Sequence, residues 1–188
     1  MKNKLRKKFT QLRAKKYLEL NSKQIQTIYS SLLRIIKQHK IKVIGSYQPI
    51  HTELNIKPVL ELLKKKYLIA LPRVLNKNNM EFRAWNEHDP LYISKFGILE
   101  PSAKNKKLVP QLFLAPLLAF DLNFNRLGYG RGYYDKYLSK NKNFLTYGIA
   151  FSFQQAKTIP VHKNDVVLKG VITDCLLYTS DAADDTPC

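Results

Sequence analysis

A glycine-rich segment late in the chain has the residue types that bind phosphate. Arg126–Asp135 reads RLGYGRGYYD and contains three of the chain's 7 glycines. Glycines let the backbone approach a ligand closely and present successive N–H groups to it, and a helix that begins next would add partial positive charge. Arg126 and Arg131 could neutralise phosphate oxygens, and Asp135 could hold a metal ion that bridges them. The segment therefore predicts a phosphate-binding loop.

The same glycine spacing is also typical of a tight turn between a strand and a helix. No Gly-Lys-Ser/Thr sequence is present, so the loop is not a Walker motif. Only Gly128 and Gly130 fit the first half of the dinucleotide-binding pattern. The motif alone leaves both interpretations open.

The segments around this loop predict a strand before it and a helix after it. Leu112–Ala115 is a continuous apolar run that ends at Pro116, as expected for a strand buried on both faces in the centre of a sheet. A helix is predicted from about Tyr133 to Leu138, and two more strands over Leu145–Phe151 and Val166–Ile172.

The first half of the chain predicts two helices and then the strand–helix–strand order of a parallel sheet. These elements make the chain one α/β domain. The second of the two helices has an apolar stripe from Ile25 to Ile36 and a cap at Asn21 or Ser22. The elements that follow it are a strand over Ile41–Tyr47, a helix over Ile56–Lys66, a strand over Tyr67–Leu71 that Pro72 stops, and a strand over Met80–Trp85 in a hairpin across Asn76–Asn79.

Composition excludes disordered and membrane-spanning classes of protein. The 188 residues are 45% hydrophobic and 11% aromatic, enough to build a core. The longest apolar run, Leu112–Phe120, has nine residues, whereas a membrane helix needs ~20. The N-terminal residues lack the apolar stretch of a signal peptide. We expect a cytoplasmic protein.

The net charge of +18 raises the question of a polyanionic partner. Lysine outnumbers arginine 25 to 7, and bidentate recognition of phosphate or guanine favours arginine. We therefore expect no nucleic acid as the main partner, although a basic nucleic-acid-binding module is the principal alternative. A basic surface would also attract small anionic substrates.

The last 14 residues, 175–188, differ from the rest of the chain. They hold both cysteines and none of the 32 basic residues. We predict a single domain over residues 1–174 and a non-native tail over 175–188.

Several sequence blocks, taken in order, resemble the 5-formyltetrahydrofolate cyclo-ligase (5,10-methenyltetrahydrofolate synthetase) family. The resemblance covers roughly residues 2–172 and implies a three-layer α/β/α sandwich with a mainly parallel, Rossmann-like sheet. The blocks are Lys2-x-x-x-Arg6, Glu53 after Tyr47-x-Pro49, Leu71-Pro72-Arg73-Val74 with Met80-x-Phe82-x-x-Trp85, Phe96-Gly97-Ile98-x-Glu100-Pro101, Ala119-Phe120-Asp121, and the loop Arg126–Asp135.

The resemblance implies an ATP-dependent ring closure that converts 5-formyltetrahydrofolate to 5,10-methenyltetrahydrofolate and requires magnesium. In the reaction mechanism that the resemblance implies, the formyl oxygen attacks the γ-phosphorus of ATP and ADP leaves. The other folate nitrogen then adds to the activated carbon and phosphate leaves. Such a reaction needs alignment of two ligands and neutralisation of developing charge.

The resemblance also implies residue roles. Arg131 and Tyr134 would be catalytic, Gln48, Glu53 and Phe96 would bind folate, and Asp135 and Asp165 would bind magnesium. The ATP-binding residues would be Lys2, Asn3, Lys4, Leu5, Arg6, Arg126, Leu127, Gly128, Tyr129, Gly130, Arg131, Gly132, Tyr133 and Tyr134. From the residues alone, a lysine-rich helix is more often merely solvated and Asp165 more often caps a turn.

The expected partners are the folate substrate and ATP. Surface lysines could attract a polyglutamate tail on the folate, which we treat as a hypothesis. We expect a monomer that does not bind membranes. A sugar-phosphate or CoA-transferase relative of the same fold is a second alternative, because a fold does not determine a function.

Overall fold

The computed structural model of the protein describes residues 1–76, 79–86, 88–94, 97–140, 144–163 and 165–179. The helices are α1 (Lys2–Lys16), α2 (Ser22–Gln38), α3 (Lys57–Leu63), α4 (Tyr133–Leu138) and a 3₁₀ turn (Ser152–Gln154). The strands are β1 (Val43–Gly45), β2 (Leu68–Asn76), β3 (Asn79–Ala84), β4 (Leu91–Ile93), β5 (Leu99–Pro101), β6 (Lys107–Leu108), β7 (Leu112–Pro116), β8 (Ala119–Phe120), β9 (Arg126–Leu127), β10 (Leu145–Ala150), β11 (Gly170–Thr173) and β12 (Leu177–Thr179).

Eight strands form one sheet in the order β12-β11-β10-β7-β1-β2-β3-β6. All pairs from β11 through β2 are parallel, whereas β12, β3 and β6 pair antiparallel at the two edges. The mainly parallel sheet expected from the sequence is confirmed, with β7 near its centre. The antiparallel pairing of β2 with β3 also confirms the predicted hairpin, whose residues 77 and 78 lie outside the described residues.

Alternation along β7 divides the core between the two faces of the sheet. Leu112 and Leu114 belong to the large cluster that α2 and α3 cover. Phe113 lies in a different cluster, with residues of α4, and Ala115 in a third. Helices on both faces give the predicted three-layer arrangement.

The sequence of α2 explains why it begins and packs as predicted. The Asn21 side chain accepts from the Gln24 N–H, and the Gln24 side chain accepts from the Asn21 N–H, which forms a capping box. The predicted stripe is buried, including Ile28 and Leu32.

The prediction that Pro72 ends its strand is wrong. β2 continues to Asn76, and Pro72 lies opposite Phe82 of β3. The pairing of β2 with β1 stops at Ala70. Beyond that residue β2 has a strand partner on one side only, where a missing N–H is tolerated.

The predicted strand over Val166–Ile172 is too long at its start. The Val166 N–H bonds to the Asp135 side chain and the Leu168 N–H to the Phe124 carbonyl. Those backbone groups therefore bond to α4 and to the loop before β9, and β11 begins only at Gly170.

Helix α1 packs beside the segments that follow the parallel strands. Phe9 is buried with Leu118, Ala119 and Leu127. Among the described helices, none is both long enough and apolar enough to cross a membrane. The non-native origin of residues 175–188 stays a prediction; residues 177–179 pair with β11 as an edge strand.

Candidate active site

A cavity of about 910 Å³ opens where β1, β2 and β7 end. Pockets for small-molecule ligands have ~300–1,000 Å³. In parallel sheets, ligands bind at this carboxyl end of the strands. Most of the predicted site residues line this cavity, namely Lys2, Asn3, Arg6, Gln48, Glu53, every residue from Arg126 to Asp135, and Asp165.

Two predicted site residues in the described part of the chain do not line the cavity. Lys4 is exposed and Leu5 packs against the Phe9 cluster, and neither lines the cavity. Lys2 and Arg6 lie four residues apart on one face of the helix, whereas Lys4 is two positions from each of them and Leu5 directly precedes Arg6, so neither side chain lies beside that of Arg6. Phe96 lies outside the described residues.

The loop between β9 and α4 depends on glycine at two positions. Gly130 and Gly132 have φ of +96° and +69°, values that residues with a side chain rarely adopt. A Cβ on Gly130 would also lie 3.1 Å from Cζ of Arg6. Arg6 Nε donates to the Gly128 carbonyl at 2.9 Å, which fixes the loop to α1. Since α4 has only six residues, its dipole adds little to anion binding.

Two ion pairs bridge the cationic and acidic residues of the wall. Lys2 Nζ lies 2.5 Å from Asp165 Oδ2, and Arg126 Nη2 lies 2.7 Å from Asp135 Oδ1. Burial raises the pKa of Asp165, but hydrogen bonds from Lys2 and the His162 N–H outweigh it, and the pKa lies below its ordinary value. The Asp165 carboxylate is therefore charged at neutral pH.

The two aspartates fit a magnesium ion that is shared with phosphate. Within the described residues, Asp135 Oδ2 and Asp165 Oδ1 accept no hydrogen bond. In the same part of the chain, no group of three or more His, Cys, Asp or Glu side chains is placed to hold a metal. Magnesium prefers oxygen ligands and usually keeps waters and phosphate oxygens beside one or two carboxylates. This donor set is suited to magnesium bound with a nucleotide.

Glu53 is a buried carboxyl in the cavity wall. It is 4% exposed, and its Oε2 accepts from the Ile50 N–H at 3.0 Å. Burial raises its pKa to about 7, although the Ile50 N–H and the charge of Arg13 act in the opposite direction. A carboxylate in this setting can accept paired N–H groups from a ligand.

The hydroxyl of Tyr134 is buried and has no hydrogen-bond partner among the described residues. Burial and the nearby Glu53 raise its pKa well above the ordinary value, so it stays protonated. The Arg126 guanidinium lies 5.5 Å from the centre of the Tyr134 ring. A buried hydroxyl without a partner is costly, so it fits a polar group supplied by a ligand.

Sequence reasoning missed Arg13 and Glu100. Arg13 is buried beside the cavity-lining Tyr129, to whose hydroxyl it donates. Glu100 lines the cavity and accepts from the Val74 N–H at 3.2 Å. Arg13 could have been found from its spacing, because it lies seven residues after Arg6 and so on the same face of the predicted helix.

The arrangement combines a cationic wall with a wall suited to a ring system. Lys2, Arg6, Arg126 and Arg131 lie beside backbone that glycines leave open. Glu53 and Glu100 lie among apolar residues, which are Ile50, Pro72, Met80, Ile98 and Leu99. The first set suits polyphosphate and the second a flat ligand with N–H donors.

Comparisons with known proteins agree with this chemistry. A model of the 5-formyltetrahydrofolate cyclo-ligase family matches residues 1–174. The chain is 31% identical to the cyclo-ligase of Haemophilus influenzae over 157 residues, which are 78% of this chain and 83% of that protein. It is 30% identical to the cyclo-ligase of Mycoplasma pneumoniae, over 92% of this chain and 98% of that protein.

Solved structures show the same fold. The NMR structure of the Aquifex aeolicus 5,10-methenyltetrahydrofolate synthetase superposes with a TM-score of 0.79 at 26% identity, covering 100% of this chain and 96% of that one. The synthetase of Mycoplasma pneumoniae gives 0.71 at 28% identity, covering 92% and 98%. The resemblance seen in the sequence is confirmed: the chain belongs to the 5-formyltetrahydrofolate cyclo-ligase family, whose members use ATP to convert 5-formyltetrahydrofolate to 5,10-methenyltetrahydrofolate.

Proposed function

We propose that this chain catalyses the family's ring closure inside the 910 Å³ cavity, with ATP and folate bound side by side. The observation that carries the proposal is that the whole loop Arg126–Asp135 lines the same cavity as Glu53. A phosphate-binding surface and an acceptor for ring N–H groups thus meet in one space.

The loop and α1 form the nucleotide part of the site. Lys2 and Arg6 project from one face of α1, and Arg6 already contacts the Gly128 carbonyl. On binding of ATP, Lys2 and Arg126 would leave their carboxylate partners for phosphate oxygens. Arg131 would stabilise the charge that develops on the transferred phosphoryl group.

Asp135 and Asp165 would hold magnesium through the carboxylate oxygens that accept no hydrogen bond from the described residues. When bound there, the ion would neutralise charge on the phosphate oxygens. Until the ion binds, the ion pairs with Arg126 and Lys2 offset the negative charges of the two carboxylates.

The folate would occupy the wall that contains Gln48, Glu53 and Tyr134. Ionised Glu53 would accept N–H bonds from the pterin ring. The hydroxyl of Tyr134, which has no hydrogen-bond partner among the described residues, would donate to an oxygen at the reacting centre. These contacts would hold the formyl oxygen toward the nucleotide.

The proposed reaction has two steps. The formyl oxygen forms a bond to the γ-phosphorus while the bond from that phosphorus to the β-bridging oxygen breaks, releasing ADP. The second folate nitrogen then adds to the formyl carbon and loses its proton, and the carbon–oxygen bond breaks to release phosphate. The enzyme supplies alignment and charge neutralisation, since an amide oxygen leaves readily only once phosphorylated.

We further propose that the basic surface favours folates with a polyglutamate tail. The chain has 32 Lys and Arg residues but only 14 Asp and Glu residues, so it would attract the negative charges of such a tail. The Michaelis constants of mono- and polyglutamylated substrate, compared at low and high salt, test this. Equal constants under all conditions would remove the proposal. A monomeric state and a cytoplasmic location stay predictions.

The decisive experiment follows methenyltetrahydrofolate by its absorbance in the presence of 5-formyltetrahydrofolate, ATP and magnesium. We expect product that depends on both ATP and magnesium, with one ADP released per ring closed. Product without ATP would refute the phosphorylation step. No product, together with tight salt-dependent binding of RNA, would instead favour a nucleic-acid-binding protein.

A further inference from the structure

Arg13 is a buried cation on the side of α1 that faces the protein. It is 1% exposed and lies four residues after the buried Phe9. Burial of a guanidinium is unfavourable unless its N–H groups are paired. Its partners therefore show what the chain gains from an arginine there.

The guanidinium makes three directed contacts. Its Nε donates to Thr52 Oγ1 at 3.1 Å and its Nη1 to the Leu117 carbonyl at 3.2 Å. Its Nη2 donates to the Tyr129 hydroxyl, and the guanidinium carbon lies 5.5 Å from the centre of the Tyr129 ring. Only a planar fork with several donors satisfies these directions at once.

The three partners come from three segments that also carry cavity-lining residues. Thr52 directly precedes Glu53 in the folate segment, Leu117 directly follows the end of β7, and Tyr129 lies in the middle of the phosphate loop. Arg13 also acts on Glu53 through its charge. One side chain thus joins the surfaces assigned to the two substrates.

We infer that Arg13 is a positioning residue that holds the phosphate loop and the folate segment in register, so that the formyl oxygen and the γ-phosphorus meet in line. This inference rests on the proposed function. A displacement of about 1 Å between reacting groups can lower a rate by ~100-fold. The hydrogen bonds of Arg13 prevent such a displacement between two loops that are 76 residues apart in sequence, from residue 53 to residue 129.

Two substitutions distinguish the effect of the charge of Arg13 from the effect of its planar guanidinium geometry. Arg13→Met keeps the length and removes both, whereas Arg13→Lys keeps a charge and loses the planar geometry. Thr52→Val and Tyr129→Phe each remove one acceptor with little change in shape. Lys7→Met, at an exposed position of the same helix, is the matched control.

For Arg13→Met we expect kcat to fall at least about tenfold and KM to rise for both substrates, because the link between the two loops is lost. Its kcat/KM for folate should also rise to its plateau at higher pH than in the wild type, since Glu53 loses the cation that favours its charged form. The other titratable groups near Glu53 are Tyr47, Tyr129, Tyr134 and, in the same cavity wall, His51.

Arg13→Lys should have a lower kcat than the wild type but the same pH profile. In the Arg13→Met background, Thr52→Val should have no further effect, because its partner is gone, and Tyr129→Phe should have a smaller effect than in the wild type. Lys7→Met should match the wild type. All rates are measured below the unfolding temperature of each variant, as followed by circular dichroism.

Folded Arg13→Met with wild-type kcat, KM and pH profile would overturn the inference and leave the proposed function intact. The inference also fails if Thr52→Val and Tyr129→Phe lower activity equally with and without Arg13. Absence of turnover in the wild type would refute the proposed function, and with it the role of Arg13.

Discussion

Replacement of Glu53 by glutamine should make the protein more stable and less active at neutral pH. The carboxyl group is 4% exposed, and burial raises its pKa from 4.5 to about 7. The folded protein therefore holds the proton of Glu53 in a pH range where the unfolded chain has released it. Stability supplied by the protonated form is complete below pH 4.5 and is lost as the pH rises through about 7.

The size of the effect follows from the two pKa values. Their difference, from 4.5 to about 7, corresponds to about 3 kcal/mol. Glutamine has no charge to bury, and its side-chain oxygen can still accept from the Ile50 N–H. The unfolding free energy of Glu53→Gln should gain about 3 kcal/mol relative to that of the wild type between pH 4.5 and pH 8.

Urea unfolding at several pH values in that range measures this difference directly. Glu61→Gln, at an exposed position of α3, is the matched control, and its stability should follow the wild type. The folate KM of Glu53→Gln should rise at least about tenfold, because an amide cannot accept paired N–H bonds as a carboxylate does. A stability difference between Glu53→Gln and the wild type that stays constant with pH would refute the reasoning.

Three further predictions concern the nucleotide part of the site. Arg131→Ala should lower kcat by at least ~100-fold in folded protein; a wild-type rate would show that the phosphoryl group is stabilised elsewhere. Asp135→Asn should lower turnover on a similar scale and raise the magnesium concentration needed for half-maximal rate, and an unchanged magnesium titration would contradict its role as a ligand. Gly130→Ala should weaken ATP binding about tenfold, because its φ of +96° is strained for alanine and a Cβ 3.1 Å from Cζ of Arg6 would displace that side chain; calorimetry with ATP would measure it, and unchanged affinity would contradict the assigned loop geometry.

The sequence allowed prediction of the sheet where hydrophobic pattern and burial agree. Leu112–Ala115 indicated a central strand because parallel strands covered on both faces are apolar throughout. The prediction that Pro72 ends its strand was wrong because proline disfavours only those strand positions that need an N–H. The sequence does not show that β2 loses its second partner strand beyond Ala70.

From the residues alone, without the family resemblance, the site was predictable only where it is continuous in the sequence. The loop Arg126–Asp135 is continuous in sequence, so its glycines and charges could be read together. Arg13 was missed because its partners come from Thr52, Leu117 and Tyr129, which only the folded chain brings together. The spacing of seven residues from Arg6 places Arg13 on the same helix face but does not identify these partners.

The position of α1 has a consequence for how the protein acquires activity during synthesis. Arg6 bonds to a residue 122 positions later and Lys2 to one 163 positions later. Contacts this distant in sequence form late, since the intervening chain must first be closed into a loop. Helix α1 is synthesised before the segments it contacts, so Lys2 and Arg6 can form both contacts only after nearly the whole domain has been synthesised. A nascent chain should gain the ability to bind nucleotide abruptly, at the length that exposes Asp165, rather than in proportion to the sheet already formed.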